Sequence, residues 1–252
     1  MSVVIVVPTF NERENVEELF HLIQHHLPES IVLFVDDDSP DGTSEVVSAL
    51  KLRYPERLEL LSRREKQGLG KAYVAGYQYA LTRWPLATHF IQMDADLSHD
   101  PSYLPGMVAA AAIAEVVVAS RYVDGVSIVN WPLHRLIISK FGTAYARIVT
   151  GLPITDCTSG FKCYQRAVLE RIGLETIRSN GYVFQVETSF RAWRLGFEVQ
   201  DYPIIFRERK RGVSKLNLSI AVEAFLMILR LGFSRLFRVQ RLVPVSAPDR
   251  LN

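Results

Sequence analysis

The sequence predicts an α/β fold with helices packed on a mostly parallel central sheet. Residues 3–7 (VVIVV) and 31–35 (IVLFV) are unbroken apolar, largely β-branched runs, as strands buried on both faces require. Between them, Val16, Leu19, Phe20, Ile23 and Leu27 recur at helical spacing. The alternation of strand and helix continues to residue 93, and parallel neighbours need such right-handed crossovers.

Taken in order, the first strand ends at Pro8 and a helix covers residues 15–27. The second strand runs into Asp36-Asp37-Asp38-Ser39-Pro40-Asp41-Gly42-Thr43, where Thr43 is placed to cap a helix reaching Tyr54. Residues 58–61 form a third strand, 68–81 a helix with a glycine-bearing entrance, and 88–93 a fourth strand. A strand over 116–119 leads into Ser120-Arg121-Tyr122. The helix over 130–149 takes Asn130 as N-cap and holds Pro132 in its first turn. The strand in 199–206 is broken at Pro203, which suits a sheet edge. Residues 1–215 make one domain and 216–252 an amphipathic, basic helix and tail, with the last residues frayed.

With 252 residues, 48% apolar and 22% charged, the composition is that of a soluble globular protein. The net charge of +2 hides an asymmetry. Residues 201–252 carry ten Lys or Arg against four Asp or Glu, whereas the rest carries nineteen against twenty-three. A basic end calls for an anionic partner such as phosphate, nucleic acid or a membrane surface. Cys157 and Cys163 read as buried thiols in a reducing compartment, since no second Cys or His pair has metal-site spacing. The N-terminus lacks a basic signal-peptide region, and no run of 18 apolar residues predicts a spanning helix.

In open α/β sheets ligands bind beyond the carboxyl ends of the strands. The unusual loops lie there, at residues 8–11, 36–43 and 94–101. The last, DADLSHDP, sets Asp94 and Asp96 one residue apart, with Asp100 before Pro101. Mg²⁺ and Mn²⁺ take oxygen ligands, and Mg²⁺ commonly combines one or two carboxylates with substrate phosphates and water. This D-x-D reads either as a metal site or as a polar strand exit capping the next helix; Asp100 reads as a turn or cap residue. An aspartyl phosphatase would carry its motif on the first strand, which here ends Pro8-Thr9-Phe10-Asn11. Gly68-Leu69-Gly70 with Gly76 is not G-x-G-x-x-G, so a dinucleotide site is poorly supported. Gly68 and Gly70 either let backbone approach a phosphate, with Lys71 near the helix start, or only form a turn.

Residues 3–217 resemble the polyprenyl-phosphate glycosyltransferases of the dolichol-phosphate mannose synthase type, inverting enzymes of glycosyltransferase family 2. VVIVVPTFNERENV, VDDDSPDGT, GLGKAYVAGYQYA, MDADLSHDP, NWPLHRLIISK, TDCTSGFKCY, SNGYVFQVE and RGVSK carry the resemblance, in order. It implies a GT-A (Rossmann-like) three-layer fold, a nucleotide-sugar donor with GDP-mannose first, a polyprenyl or dolichyl phosphate acceptor, and Mg²⁺ or Mn²⁺ as cofactor. It also implies that Pro8, Thr9, Phe10, Asn11 and Glu12, with Asp37, bind base and ribose, and that Gly68, Lys71 and Ala95 join the donor site. Asp94 and Asp96 would hold the cation on the diphosphate. Ser98 stands where many relatives have Gln and would act as a third ligand directly or through water, with His99 as its substitute. Arg121, Arg135, Ser139 and Arg209 would face the lipid phosphate, Lys215 the bound nucleotide sugar, and Asp156 the sugar.

Several residues agree with this independently. Arg135 and Ser139 are four apart and share one helix face, and a guanidinium fork beside a hydroxyl suits phosphate; the alternative is a solvated helix charge. A phosphate monoester has a second pKa of about 6, so this acceptor is already an anionic nucleophile and no dedicated general base is expected. Leu218, Val222, Phe225, Leu226, Leu229 and Phe233 form a stripe flanked by Arg230, Arg235, Arg238 and Arg241. That suits an interfacial helix on the cytoplasmic face of a membrane, or one packing on its own domain, a second copy or an anchoring subunit. Nucleic acid is not an expected partner. The rival donor is UDP-glucose. A transferase to hydroxyl acceptors predicts an Asp base and Q-x-x-R-W, which is absent, and a binding module without catalysis predicts loss of the D-x-D or the arginines, which are present.

Overall fold

The computed structural model describes residues 2–129, 131–177, 179–207 and 218–237. Asn130, Arg209, Lys215, Arg238, Arg241 and the side chain of Arg235 lie outside the described residues.

The first half alternates as expected: β1 (Val3–Thr9), α1 (Val16–His26), β2 (Ile31–Asp36), α2 (Thr43–Arg53), β3 (Leu58–Ser62), α3 (Leu69–Arg83) and β4 (His89–Gln92). A 3₁₀ turn (Pro101–Tyr103) then leads to α4 (Leu104–Ala110), β5 (Val116–Ser120), β6 (Ile128–Val129) and α5 (Leu133–Thr150). β7 (Lys162–Gln165), α6 (Arg166–Arg171), α7 (Gly181–Arg194), β8 (Val199–Pro203), β9 (Phe206–Arg207) and α8 (Leu218–Phe237) follow.

Seven strands form one sheet in the order β3-β2-β1-β4-β7-β5-β8, and β6 pairs with β9 separately. All neighbours in the large sheet are parallel except β7, which runs antiparallel to both β4 and β5. The broken strand at Pro203 is indeed at the edge. The chain steps outward from β1 to β3 and returns to the other side of β1 with β4, creating the crevice at which such sheets bind ligands. The register aligns Thr9 with Asp36 and Asp36 with Ser62, so those strand ends share one edge. Because β7 is reversed, its start at Lys162 lies beside Gln92 at the end of β4. The loops before β7 and after β5 therefore meet the D-x-D.

Alternation along β1 divides the core. Val4 and Val6 join Tyr73, Tyr77, Tyr164 and Phe184 on the face covered by α3 and α7. Val3, Ile5 and Val7 join Leu19, Phe20, Ile23 and Phe161 on the other. Each such Val, Leu, Ile or Phe contributes about 1.5–3 kcal/mol by burial. Gly76 lets α3 lie close on the sheet, since a Cβ there would sit 2.5 Å from Val6 Cγ1 and 2.9 Å from Val35 Cγ2.

Two local expectations change. Thr43 is the first helical residue and not the cap; its N–H and hydroxyl donate to Asp41 Oδ1 at 3.0 and 2.6 Å. The helix expected from Asn130 starts at Leu133 with Pro132 at its N-cap. Asp100 is the cap expected, accepting from the Ser102 N–H at 2.9 Å. Both cysteines are buried free thiols, and burial pushes each up to about 12, which makes them unreactive.

Candidate active site

Three loops at the carboxyl edge carry the non-glycine residues that adopt positive φ among those described: Asn11 (62°) after β1, Asp38 (57°) after β2 and Leu97 (61°) after β4. Such backbone costs energy and persists only where its surroundings hold it. After β2, the buried Asp36 supplies that hold. It accepts from Thr9 Oγ1 (2.7 Å), Ser39 N and Oγ (3.0 and 2.6 Å) and Ser44 Oγ (2.8 Å). After β4, Asp96 Oδ1 accepts from Ser98 N (3.1 Å) and Ser98 Oγ (2.6 Å).

These loops border a cleft of about 460 Å³. Pro8, Thr9, Phe10 and Glu12 line one side with Asp37, Lys66 and Gly68; Asp94, Ala95 and Asp96 line its floor. Thr158 and Gly160 in the loop before β7, Asn180, and Gly181, Tyr182 and Gln185 on α7 close it. Asp37 meets Arg63 Nη1 at 2.6 Å; burial nevertheless raises the Asp37 carboxyl above its ordinary value. Lys66 Nζ sits 3.6 Å from the centre of the Phe10 ring. Gly68 lines the cleft, and both Gly68 and Gly70 let the start of α3 lie close to residues 179–180: a Cβ on the first would meet Asn180 Oδ1 at 2.9 Å, and on the second Ser179 O at 2.4 Å.

Beside the cleft, beyond the end of β5, lies an arginine–aromatic cluster. Arg121 is buried against Asp156, with Nε–Oδ2 at 2.6 Å and Nη2–Oδ1 at 2.8 Å. Burial alone would raise the Asp156 pKa, but the guanidinium beside it holds the carboxyl below its ordinary value. The Arg121 guanidinium is ringed by Tyr122, Trp131 and Phe206 at 5.3–5.6 Å. Arg135 stacks on Trp131 at 4.1 Å, and Tyr122 donates to Ser139 Oγ at 2.8 Å. The Trp131 indole N–H is buried without a hydrogen-bond acceptor among the described residues.

Residues 4–173 match the family profile described as "Glycosyl transferase family 2". Polyprenol monophosphomannose synthase from Mycolicibacterium smegmatis is 40% identical over 241 residues, 95% of this chain and 90% of that one. The undecaprenyl-phosphate mannosyltransferase of Micrococcus luteus is 41% identical over 234 residues, 93% of this chain and 95% of that one. The chain belongs to glycosyl transferase family 2, among its polyprenyl-phosphate mannosyltransferases. The fold has a solved counterpart in glucosyl-3-phosphoglycerate synthase from Mycobacterium tuberculosis, in complex with Mn²⁺, UDP and glucosyl-3-phosphoglycerate. The TM-score is 0.65 at 16% identity, covering 93% of this chain and 79% of that one.

In this family 2 chain the structure gathers most of the residues selected for the donor. Pro8, Thr9, Phe10, Glu12, Asp37, Gly68, Asp94, Ala95 and Asp96 line one cleft. Asn11 and Lys71 are exposed outside its lining, and Lys66 stands in the wall instead. Asp156 is fully buried and spends both oxygens on Arg121 and Thr158. Ser98 Oγ is bonded to Asp96, so it braces that carboxylate. Oxygen-only donors fit a hard cation. No group of three or more His, Cys, Asp or Glu able to hold a metal occurs among the described residues. Asp94 and Asp96 are two carboxylates on one cleft floor, and Mg²⁺ commonly takes one or two carboxylates with phosphate and water.

Sequence reasoning passed over the polar floor behind the cleft. Tyr77 Oη donates to Gln92 Oε1 (3.0 Å), and Gln92 Nε2 to Gly160 O (2.8 Å) and Gln185 Oε1 (2.5 Å). Lys162 Nζ donates to Gln185 O (2.5 Å), Ser189 Oγ (2.9 Å) and Thr188 Oγ1 (3.3 Å). Burial pushes the Lys162 ammonium down to about 7. An unfolded lysine keeps its proton to about pH 10.4, so between pH 7 and 10 the unfolded chain binds more protons and stability rises with pH. The Lys162 contribution is expected to rise by about 2 kcal/mol from pH 7 to pH 9. Urea unfolding midpoints of the wild type should show this rise, and Lys162→Met should flatten it. An equal slope in both proteins refutes the assignment.

Proposed function

We propose that this chain transfers a mannosyl group from GDP-mannose to the phosphate of a polyprenyl phosphate, with inversion at the sugar carbon. The observation that carries this is the adjacency, on one sheet edge, of a carboxylate-floored cleft and a buried arginine–aromatic cluster. The named activities of the relatives support the mannosyl donor and the lipid acceptor.

In this reading Phe10, Asp37 and Lys66 border the base and ribose, and Asp94 and Asp96 hold Mg²⁺ or Mn²⁺ on the diphosphate. The cation, when bound, neutralises charge on the departing nucleoside diphosphate. Arg121, Arg135 and Ser139 seat the acceptor phosphate, and the Trp131 N–H is a further donor for it. The phosphate is already anionic near neutral pH, so no side chain needs to remove a proton. What the protein supplies is orientation of two anions that would otherwise repel.

No helix among the described residues is long and apolar enough to cross a membrane. Ile138, Phe141 and Ile148 on α5 are exposed, as are Phe225, Leu226 and Phe233 on α8, and Tyr145 stacks on Phe225 to join the two helices. This apolar face beside the acceptor cluster docks on the bilayer that holds the lipid.

The test is a panel of radiolabelled nucleotide sugars offered with polyprenyl phosphate in anionic vesicles and Mg²⁺ or Mn²⁺. Lipid-linked mannose from GDP-mannose is expected, with the protein sedimenting with the vesicles. Absence of lipid-linked product from every donor sinks the reading, and product from UDP-glucose alone replaces the sugar. A protein that stays in the supernatant removes the membrane claim.

A further inference from the structure

Asp94 is held by two residues that the reaction does not itself require. Tyr73, fully buried on α3, donates from its hydroxyl to Asp94 Oδ1 at 3.0 Å. Its ring lies parallel to Phe184 at 5.7 Å and near-parallel to Tyr77 at 6.0 Å, so the hydroxyl has little room to swing. Of this pair the phenol hydroxyl is the donor and the carboxylate the acceptor. From the other side comes His99, itself buried and stacked on Phe161 with ring centres 5.0 Å apart. The Asp94 backbone N–H donates to His99 Nδ1 at 3.0 Å. Because Nδ1 accepts, the ring proton sits on Nε2, which is 3.9 Å from Asp94 Oδ2. The left-handed turn at Leu97 brings His99 back beneath a residue five positions earlier.

We infer that Tyr73 and His99 are positioning residues that fix Asp94, one at a carboxylate oxygen and one at the backbone, so that its second oxygen faces the donor diphosphate in a set orientation. The inference rests on the donor-site reading above. Outer partners of this kind orient ligands, and their loss typically weakens metal binding 10–100-fold. A buried phenol and a stacked imidazole are stiff supports, and a carboxylate with only one of them can rotate about its Cα–Cβ bond.

Mn²⁺ binding in the presence of GDP, followed by the electron paramagnetic resonance signal of the free ion, tests this without turnover. Tyr73→Phe and His99→Ala are each expected to raise the Mn²⁺ dissociation constant about tenfold. His99→Asn, whose Oδ1 can replace Nδ1 as acceptor for the Asp94 N–H, should bind within about threefold of wild type. In the transfer assay the Mn²⁺ concentration for half-maximal rate should move in the same order. Mn²⁺ affinity within twofold of wild type in Tyr73→Phe, whatever its urea midpoint, overturns the proposal for Tyr73. His99→Asn binding as weakly as His99→Ala overturns it for His99. Wild-type protein that takes up no Mn²⁺ with GDP removes the donor-site reading and this inference together; wild-type binding that Asp96→Ala abolishes and these variants leave intact removes the inference alone.

Discussion

Asp156→Ala is expected to lower folding stability by about 3–5 kcal/mol and to abolish transfer, because it leaves a buried guanidinium without its counter-charge. Asp156 is fully buried and Arg121 only 8% exposed, so water cannot take the place of the lost carboxylate. The carboxylate also accepts from the Arg121 and Thr158 backbone N–H groups at 3.3 Å, tying the end of β5 to the loop before β7. The isosteric Asp156→Asn keeps one acceptor but turns an amide N–H toward the guanidinium, so it too destabilises. Arg121→Met with Asp156→Leu removes both charges and fills the space, and is expected to regain most of the stability while remaining inactive. A double-mutant cycle on urea unfolding then gives a coupling of more than about 2 kcal/mol, and additive losses would contradict the pair. The carboxyl pKa is depressed in the folded protein, so this contribution is present above the unfolded value near 3.8 and is lost as pH falls through the folded one.

The same pair shows what a sequence discloses and what it withholds. Asp94 and Asp96 were legible because they follow a strand of an alternating α/β chain, and loops after such strands gather at one sheet edge; Arg121 was selected through the family resemblance. β7 was not legible. It is four residues, KCYQ, whose lysine is buried on neutral oxygens, so no apolar run announces it. α7 hid for the same reason: Gln185, Glu187, Thr188 and Ser189 face inward, and polar residues on a buried face erase the helical period. Without β7 and α7, Gly160, Asn180 and Gln185 could not be assigned to the cleft wall. Asp156 was placed near the sugar because its loop resembles that of relatives; only the tertiary contact reveals that both oxygens are bound to Arg121 and Thr158. Tyr73 shares one helix face with Tyr77, which reads as core, and its hydroxyl has a purpose only once β4 brings Asp94 within 3.0 Å. For Lys162, Asp156 and Tyr73 the missing information is a partner more than twenty residues away (Gln185, Arg121 and Asp94), which no local pattern encodes.

Asp96→Ala is expected to reduce kcat/KM about 10³-fold, a loss of about 4 kcal/mol of transition-state stabilisation, with little change in fold. Asp94 and Asp96 are the carboxylates on the cleft floor, and no larger group of metal-binding side chains stands near among the described residues to take over. Asp96→Asn keeps the shape and the contact with Ser98 but not the charge, and should fall nearly as far. Ser98→Ala removes only the brace at 2.6 Å and should lose about tenfold, the scale of an outer-shell partner. Loss in all three should appear in kcat and in the Mg²⁺ or Mn²⁺ concentration needed for half-maximal rate; unchanged rate and metal requirement in Asp96→Ala would refute its role. Stability should fall less than in Asp156→Ala. Asp96→Ala gives up the bonds from Ser98 N and Oγ, each worth about 0.5–1.5 kcal/mol, so its metal-free unfolding free energy should fall by less than the about 3–5 kcal/mol expected of Asp156→Ala. The two acids are therefore expected to differ: Asp156 is paired with a buried guanidinium within the fold, so its loss should tell on stability, whereas the loss of Asp96 should tell chiefly on rate and metal requirement.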